Sequence, residues 1–232
     1  MDILVTNAVK SYQNRKVMDI DKFEFRSGMV YVILGFNGSG KSTLLNCIAG
    51  IESLTSGLIT YSNGKTLYEV KENISNFLQK PYLFNISVYQ NIISGLKFRK
   101  YGKTLIDERV NKYINSFTLT DLLYKNARKL SGGETAKIAL IRVAVLETQL
   151  TLLDEPTASM DIESTIRAEK LIKTMASGNR TVIVVTHDLY QAERIADYII
   201  FMDKGKIIES GNKYKVLKEP DNQIVKMVLN MK

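Results

Sequence analysis

Cysteine, histidine and long apolar runs are scarce in this chain of 232 residues. The single cysteine, Cys47, cannot form an internal disulfide, and we interpret it as a small apolar residue of a helix. No apolar run approaches the ~18 residues of a membrane span. The N-terminal residues lack the charged and apolar regions of a secretion signal. These absences predict a globular, cytoplasmic protein.

The chain carries a net charge of +8. Three interpretations are open at this point: contact with nucleic acid, a position near the anionic inner face of a membrane, or an ordinary lysine-rich surface. The basic residues are scattered except for a short cluster at residues 97–100, and no nucleic-acid-binding motif is visible. We therefore expect no nucleic-acid partner.

A glycine-rich segment lies between a predicted strand at residues 29–34 and a predicted helix at residues 44–49. The segment consists of Gly35, Phe36, Asn37, Gly38, Ser39, Gly40, Lys41, Ser42 and Thr43. Strand, glycine-rich turn and helix are the context of a phosphate-binding P-loop, whose amides and helix N-terminus face phosphate oxygens. Lys41 is predicted to reach the β- and γ-phosphates, and the Ser42 hydroxyl is predicted to bind Mg²⁺.

The segments on either side of this loop have the pattern of short strands. Residues 1–30 alternate apolar and polar side chains, which predicts antiparallel strands. Tyr12 lies among them, and it is either a strand aromatic or a flat ring on which a base stacks. Residues 58–62 and 65–70 are predicted to pair as a hairpin around a turn.

Polar side chains follow three predicted core strands. These strands are residues 74–78, 149–153 and 181–185. Gln79 follows the first strand, Asp154 and Glu155 follow the second, and His187 lies just beyond the third. Ligands of open α/β sheets bind at such strand ends. Adjacent carboxylates repel unless a cation lies beside them, so we expect Asp154 to bind Mg²⁺ and Glu155 to polarise water.

Apolar residues follow helical spacing between about residues 85 and 148, which predicts a helical insert. Within it, Ser131 is a predicted N-cap for a helix over residues 135–147, and Glu134 completes a capping box. Gly132 and Gly133 exceed what a cap needs, and they would expose N–H groups to an anion. The alternative interpretation is that these residues form only a well-capped helix, without a ligand.

The alternation of strands and helices predicts an α/β protein with a mostly parallel sheet. A helix over residues 161–176, two late strands around the turn at Lys204 and Gly205, and a short helical tail complete the pattern. We expect one P-loop NTPase domain with a RecA-like core, an N-terminal antiparallel β subdomain and the helical insert. Its three stretches are residues 1–80, 81–148 and 149–232.

With these motifs in this order, essentially the whole chain resembles the nucleotide-binding subunits of ATP-binding cassette transporters. The matching features are Walker A at residues 35–43, the Q-loop at Gln79, the signature at residues 130–134, Walker B with its glutamate at residues 150–155, the D-loop ending at Asp161, the H-loop at His187 and the adenine-stacking aromatic at Tyr12. The signature is highly specific. Glu134 replaces the usual glutamine, and Lys137 and Ile141 replace the common arginine and alanine. None of these changes removes a phosphate-contacting group, so we expect activity to survive.

The resemblance implies hydrolysis of ATP with Mg²⁺ as cofactor. It assigns the β- and γ-phosphates to the P-loop and Lys41, the metal to Ser42, Asp154 and Gln79, the general base to Glu155, and a γ-phosphate hydrogen bond to His187. It also implies a homodimer that forms on ATP binding. In that dimer the signature residues Ser131, Gly132, Gly133 and Glu134 of one subunit close over ATP held by the other.

A transporter of this type requires a separate integral membrane subunit, which the family docks on the helical insert. The chain would then be peripheral on the inner face of the cell membrane, with a substrate-binding protein as a further partner. The compact chain is similar to importer ATPases, and its SGGE signature is similar to that of tungstate and related oxyanion importers. Lipoprotein-release and peptide-efflux subunits remain alternatives. Cassette ATPases that act on DNA or ribosomes are disfavoured, because the chain lacks long coiled coils, zinc cysteines and a second cassette.

Overall fold

The structure is a computed structural model that describes residues 1–117 and 119–230. The strands of these residues form two sheets. The strands are β1 (Ile3–Tyr12), β2 (Arg15–Phe25), β3 (Val30–Gly35), β4 (Ser56–Tyr61), β5 (Ile74–Phe77), β6 (Leu150–Asp154), β7 (Thr181–Val185), β8 (Tyr198–Asp203) and β9 (Lys206–Asn212).

The α-helices lie between and around these strands. They are α1 (Lys41–Ala49), α2 (Leu67–Val70), α3 (Val88–Phe98), α4 (Lys103–Ile114), α5 (Gly132–Ala144), α6 (Ile162–Met175), α7 (Leu189–Ile195), α8 (Lys213–Lys218) and α9 (Gln223–Asn230). No helix in the described part of the chain is long and apolar enough to cross a membrane.

The larger sheet has the strand order β5-β6-β7-β3-β8-β9. The first five strands pair in parallel, and β9 pairs with β8 antiparallel. Strands β6 and β7 are buried along their whole length, as expected for parallel strands covered on both faces. The carboxyl ends of β3, β5, β6 and β7 therefore meet at one edge of the sheet, which confirms the predicted α/β architecture.

A smaller antiparallel sheet has the order β2-β1-β4. Its apolar face, with Ile3, Val5 and Met18, shares a hydrophobic cluster with α1 and with one face of the larger sheet. Helix α1 contributes Leu44 and Ile48 to this cluster. The helix that follows the glycine-rich loop is thus packed between two sheets, which fixes the position of the loop.

The hairpin predicted for residues 58–62 and 65–70 is wrong in its second half. Strand β4 pairs with β1, and a single bridge between Tyr61 and Lys65 is what remains of the expected pairing. Residues 67–70 form helix α2, because Thr66 caps it and the Glu69 carboxylate accepts a hydrogen bond from the Thr66 N–H at 2.8 Å. This capping box outweighs the strand-like pattern.

Helices α3, α4 and α5 confirm the helical segment predicted between residues 85 and 148. Their apolar faces join Val32 and Leu153 of the larger sheet in one hydrophobic cluster. Helix α5 begins at Gly132 and ends at Ala144, three residues earlier at each end than predicted. Ser131 is the N-cap, as predicted, and the start differs because the two glycines that follow the cap form the first turn of the helix.

Candidate functional site

Two glycines of the P-loop are required by the backbone around them. Gly35 ends β3 with φ 146°, and a Cβ there would lie 2.1 Å from the Met202 carbonyl oxygen. Gly40 precedes α1 with φ 97°, and a Cβ there would lie 2.7 Å from the Val17 carbonyl oxygen. A side chain at either position would be strained and would clash, so the tight loop before the helix depends on glycine.

Lys41 lies at the centre of this loop. Its Nζ donates hydrogen bonds to the carbonyl oxygens of Gly35 at 2.8 Å and Phe36 at 2.9 Å. The side chain is buried, and burial lowers the pKa of Lys41, while Glu155 and Asp154 oppose that shift. A desolvated ammonium beside loop amides and a helix N-terminus is suited to phosphate oxygens.

The structure brings the predicted strand-end residues together around the loop. A cleft of about 340 Å³ is lined by Asn37, Gly38, Ser39, Gly40, Lys41, Ser42 and Thr43 of the loop, together with Gln79, Asp154 and Glu155. An adjoining cavity of about 440 Å³ includes Gln79, Glu155 and His187 with Gly35, Phe36 and Asn37. Asn37, Gln79 and Glu155 border both spaces, and His187 shares its cavity with three residues of the loop.

Asp154 has the surroundings of a metal ligand. It is buried at the end of β6, and its Oδ1 atom has no hydrogen-bond partner in the described structure. Burial raises the pKa of Asp154 and the neighbouring Glu155 charge adds to this, whereas a hydrogen bond from the Ser42 side chain lowers it. An unpaired buried carboxylate oxygen beside a hydroxyl fits Mg²⁺, which is held by one or two carboxylates together with substrate phosphates.

Glu155, unlike the Oδ1 atom of its neighbour Asp154, has a side-chain partner. Its backbone has φ 48°, an uncommon value for a residue with a side chain, and its N–H donates to the Val185 carbonyl oxygen at 2.9 Å. Its Oε1 atom lies 2.8 Å from Nδ1 of His187. The half-buried carboxylate and the exposed imidazole therefore form a pair, in which Nε2 of His187 is left for a ligand.

The predicted signature forms the start of α5. Oε2 of Glu134 accepts hydrogen bonds from the Ser131 N–H at 2.8 Å and the Ser131 hydroxyl at 2.9 Å. The Ser131 N–H is the main cause of the lowered pKa of Glu134. A Cβ on Gly133 would lie 2.9 Å from the Ser159 carbonyl oxygen, whereas one on Gly132 would meet nothing within 4 Å. Gly133 is thus explained by packing, and Gly132 faces open space.

The signature does not reach the P-loop within one chain. None of its residues lines either cavity, in contrast to Gln79, Asp154, Glu155 and His187. Asp161, which was also predicted as a functional residue, is the N-cap of α6 and accepts from the Ser164 N–H at 2.7 Å. The P-loop cleft therefore contains Gln79, Asp154 and Glu155, whereas the signature residues and Asp161 do not line it.

Comparison with known families matches residues 18–158, more than half of the chain, to the family described as ABC transporter. The chain belongs to this family. It is an ATP-binding cassette ATPase, in agreement with the resemblance of its motifs. A tungstate uptake system ATP-binding protein of Peptoclostridium acidaminophilum is 39% identical over 211 residues, which cover 90% of this chain and 98% of that protein.

Two further ABC proteins illustrate how far the likeness extends. A sulfate/thiosulfate import ATP-binding protein of Nocardia farcinica is 36% identical over 230 residues, which cover 96% of this chain and 69% of that protein. A solved dimeric ATP-binding cassette bound to ADP and phosphate superposes with a TM-score of 0.82 at 24% identity, covering 91% of this chain and 98% of the other. The second likeness supports the ABC ATPase fold.

Tyr12 lies outside both cavities of the ABC ATPase. It ends β1 and is partly exposed, and its hydroxyl donates a hydrogen bond to Glu52. The Lys10 ammonium lies 4.9 Å from the centre of its ring. These contacts orient the ring. They do not test whether it stacks on adenine, which stays a prediction.

Sequence reasoning missed several residues that shape the ABC ATPase site. Val17 of β2 and Val228 of α9 line the two cavities, although neither belongs to a motif. Lys137 of α5 places its Nζ 3.5 Å from Oδ2 of Asp161 and so links the signature helix to the D-loop. Of these residues, only Lys137 was notable in the sequence, where it replaces the common arginine. Nothing in the sequence indicated that it pairs with Asp161.

Proposed function

We propose that this chain is the ATP-hydrolysing subunit of an importer that moves an oxyanion such as tungstate through a separate membrane subunit. The observation that carries the ATPase mechanism is the convergence of Lys41, Asp154, Glu155 and Gln79 on one cleft. These residues come from three separate segments of the chain, because Asp154 and Glu155 are adjacent. Their meeting at the ends of parallel strands supports a site for phosphoryl transfer.

In the proposed mechanism, the P-loop amides and Lys41 bind the β- and γ-phosphates. Ser42 and Asp154 would hold Mg²⁺, and Gln79, which lines the same cleft, would contact the metal and the attacking water. Bound Mg²⁺ supplies neutralisation of the charge on the phosphate oxygens. The unpaired Oδ1 atom of Asp154 supports its assignment as the ligand.

Glu155 is the proposed general base for the attacking water. His187 fixes the carboxylate through the 2.8 Å contact between Nδ1 and Oε1. A hydrogen bond from Nε2 to the γ-phosphate, together with the one from Nδ1 to Glu155, would use the doubly protonated ring, in which both nitrogens are donors. Catalysis by such a site depends mainly on positioning and charge stabilisation, so a histidine that orients the base contributes without itself reacting.

The signature acts on ATP bound by a second copy of the chain. Ser131 and the open space beside Gly132 suit a phosphate, yet they lie apart from the P-loop of their own chain. A two-fold dimer completes both sites at once, because each chain supplies both halves. The dimeric cassette with bound ADP and phosphate, to which this fold is similar, supports this arrangement.

The proposed cargo rests on the relatives. The names of two importer proteins, one for tungstate and one for sulfate or thiosulfate, point to tetrahedral oxyanions. The chain would bind its membrane subunit at the inner face of the cell membrane, and a substrate-binding protein would deliver the anion. Lipoprotein release or peptide efflux would be the outcome to consider if the assembled transporter moved no oxyanion.

The first experiment measures phosphate release and nucleotide binding by the purified chain and by Glu155→Gln. The variant should retain ATP binding, because the phosphate and metal ligands remain, and it should lose about 10²–10⁴-fold of its turnover. Normal phosphate release by this variant would refute the role of Glu155. Tungstate uptake by vesicles that contain the chain and its membrane subunit then tests the cargo, with a peptide substrate as the comparison.

A further inference from the structure

Two segments of the chain carry Glu155 and His187. Glu155 begins a turn at residues 155–159, which we call the Walker B turn, and His187 directly precedes helix α7. Ala158 of the turn and Leu189 of α7 line the same cavity of about 440 Å³ as Glu155 and His187. The relative position of the turn and the helix therefore decides how the carboxylate meets the imidazole.

Gln191 of α7 forms a second link between these two segments. Its Nε2 atom donates a hydrogen bond to the Thr157 hydroxyl at 2.8 Å, although the two residues are 34 positions apart. The Thr157 carbonyl oxygen accepts from the Met160 N–H at 2.9 Å, so Thr157 is itself held within the turn. The amide thus joins the same two segments as the 2.8 Å contact between Glu155 and His187.

The amide of Gln191 is held in place by its own helix. Gln191 is 0% exposed, and its N–H donates to the N-cap Asp188 at 3.1 Å. Helix α7 has seven residues, and Arg194 ties it to α6 through two hydrogen bonds to the buried Glu169 carboxylate, at 2.7 and 2.8 Å. A short helix anchored in this way gives Thr157 a fixed support.

Gln191 is a costly side chain at this position. Its Oε1 atom is buried and has no hydrogen-bond partner in the part of the chain that the structure describes. An apolar side chain of the same shape would avoid the cost of burying that oxygen. Because an unpaired buried polar atom needs a reason other than stability, the bond to Thr157 explains why an amide lies here.

We propose that Gln191 is a positioning residue for ATP hydrolysis, which holds Thr157 so that the Glu155 carboxylate stays on Nδ1 of His187. This inference rests on the proposed function, since it assumes that Glu155 is the base. The His187 side chain is 70% exposed, so water competes for its ring nitrogens unless the segments that carry the pair are fixed. A misplacement of about 1 Å in a catalytic site can cost about 10²-fold in rate.

The first test is Gln191→Leu, which keeps the size of the side chain and removes the bond to Thr157. Turnover at saturating ATP should fall at least about tenfold, for the chain alone and with its membrane subunit. The KM and the ATP affinity should stay within about twofold, because Gln191 lines neither the cleft nor the cavity. The melting temperature should stay within about 3 °C, since the substitution also removes the unpaired oxygen.

Substitutions of Thr157 are the matched variants. Thr157→Val should reproduce the loss of turnover, whereas Thr157→Ser keeps the hydroxyl and should stay within about twofold of wild type. The double variant Gln191→Leu/Thr157→Val should be no slower than either single variant, because all three lack the same bond. Losses that simply multiply in the double variant would contradict the link.

Nuclear magnetic resonance gives a readout that does not depend on hydrolysis. His187 is the only histidine of the chain, so its ring nitrogens give one set of ¹⁵N signals. The Nδ1 signal of the wild type reports the hydrogen bond to Glu155. Gln191→Leu should move this signal in the direction in which Glu155→Gln moves it, and Thr157→Ser should leave it in place.

The outcomes separate this inference from the proposed function. Normal turnover or an unchanged Nδ1 signal in folded Gln191→Leu overturns the inference and leaves the role of Glu155 intact. A loss of turnover that accompanies a large fall in melting temperature, and that disappears on cooling, also overturns it, because Gln191 then serves stability alone. A wild-type chain that hydrolyses no ATP, alone or with its membrane subunit, refutes the proposed function and removes the basis of the inference as well.

Discussion

At the scale of single residues, Asp154 and Glu155 have different surroundings although they are neighbours. Asp154 is buried with one unpaired oxygen, and Glu155 is turned by its positive φ toward His187. Strained backbone of this kind costs about 1–3 kcal/mol and is concentrated at functional sites. The positive φ at Glu155 therefore helps to give two consecutive carboxylates different surroundings, and the proposed mechanism assigns them to a metal and to water.

Tyr12 gives a prediction at the same scale. Tyr12→Ala should weaken the affinity for ATP and GTP alike, because stacking on a ring scarcely distinguishes the bases. Base–aromatic stacking is worth about 1–3 kcal/mol in single-stranded nucleic acid recognition, and we apply that value by analogy.

The matched control is Tyr12→Phe, which keeps the ring and loses the hydrogen bond to Glu52. It should bind nucleotide nearly as well as wild type in an equilibrium titration. If Tyr12→Ala also binds normally, Tyr12 is a strand aromatic without a role in recognition.

At the scale of elements, two contacts join the signature helix α5 to the D-loop. Lys137 of α5 pairs with Asp161, the cap of α6, and Gly133 leaves room for the Ser159 carbonyl oxygen. A displacement of either segment would disturb the other, since one contact is backbone packing and the other is an ion pair. The two segments are therefore expected to move together when the proposed dimer closes.

Glu134 gives a prediction about the start of α5. Glu134→Gln should keep the geometry of the capping box, because glutamine also serves at this position, but it should lower the melting temperature slightly, since the hydrogen bonds from Ser131 stabilise the charged form of Glu134. The substitution removes a negative charge that lies beside Ser131, where the proposed dimer places a γ-phosphate. Unit charges 4 Å apart in water interact by about 1 kcal/mol, and the proposed dimer has two such sites, so ATP-driven dimerisation should strengthen about thirtyfold.

Sedimentation of the wild type and Glu134→Gln over a range of ATP concentrations measures this effect. Glu134→Ala is the control, since it removes both the charge and the cap and should also lower the melting temperature. Equal dimerisation of wild type and Glu134→Gln would show that the carboxylate does not oppose phosphate binding.

Asp161 gives a prediction about acid stability. Hydrogen bonds from Ser164, first from its backbone N–H, lower the pKa of Asp161 from 3.8 to about 2. Because the folded pKa lies below the ordinary value, the stabilisation is present above pH 3.8 and is lost as the pH falls through about 2. Asparagine cannot titrate, so Asp161→Asn should be less stable than wild type at pH 6, with a gap that narrows below pH 4. Urea unfolding from pH 6 to pH 2 measures the gap, and a constant gap would contradict the assignment.

At the scale of the whole molecule, the two proposed halves of the ATP site are built into different parts of the fold. The larger sheet carries the P-loop and the residues of its cleft at one edge, and α5 carries the signature elsewhere. Within one chain, the signature residues do not line the P-loop cleft, so the two proposed halves do not form one ATP site. The arrangement supports a dimer in which two ATP molecules are enclosed and hydrolysis allows the subunits to separate.

Mixing two inactive variants tests this arrangement. In a mixed dimer of Lys41→Ala and Ser131→Arg, one composite site carries both defects and the other is intact. Equal mixing should restore up to about a quarter of the wild-type ATPase rate, since about half of the dimers are mixed and each has one working site. Each variant alone is the control. No recovery on mixing, together with a Glu155→Gln chain that stays monomeric at saturating ATP, would refute the shared site.

Local sequence patterns were sufficient for most of the architecture, and they failed where two local signals competed. The strands before Gln79, Glu155 and His187 are apolar runs with no alternative, and they are confirmed. Residues 65–70 look like a strand, but the Thr66 capping box makes a helix there. The start of α5 was misplaced for a related reason, because glycines beside a good cap were taken to lie outside the helix.

The sequence by itself determined the P-loop, the strand-end polar residues and the membership of the ABC family, because each depends on residues that are close together along the chain. Only the tertiary structure decided that Asp154 keeps an oxygen unpaired within the described part of the chain and that Glu155 pairs with His187. These properties depend on burial and on contacts between segments far apart in sequence. No pattern of neighbouring residues encodes them, since they arise only when the sheet and the helices pack.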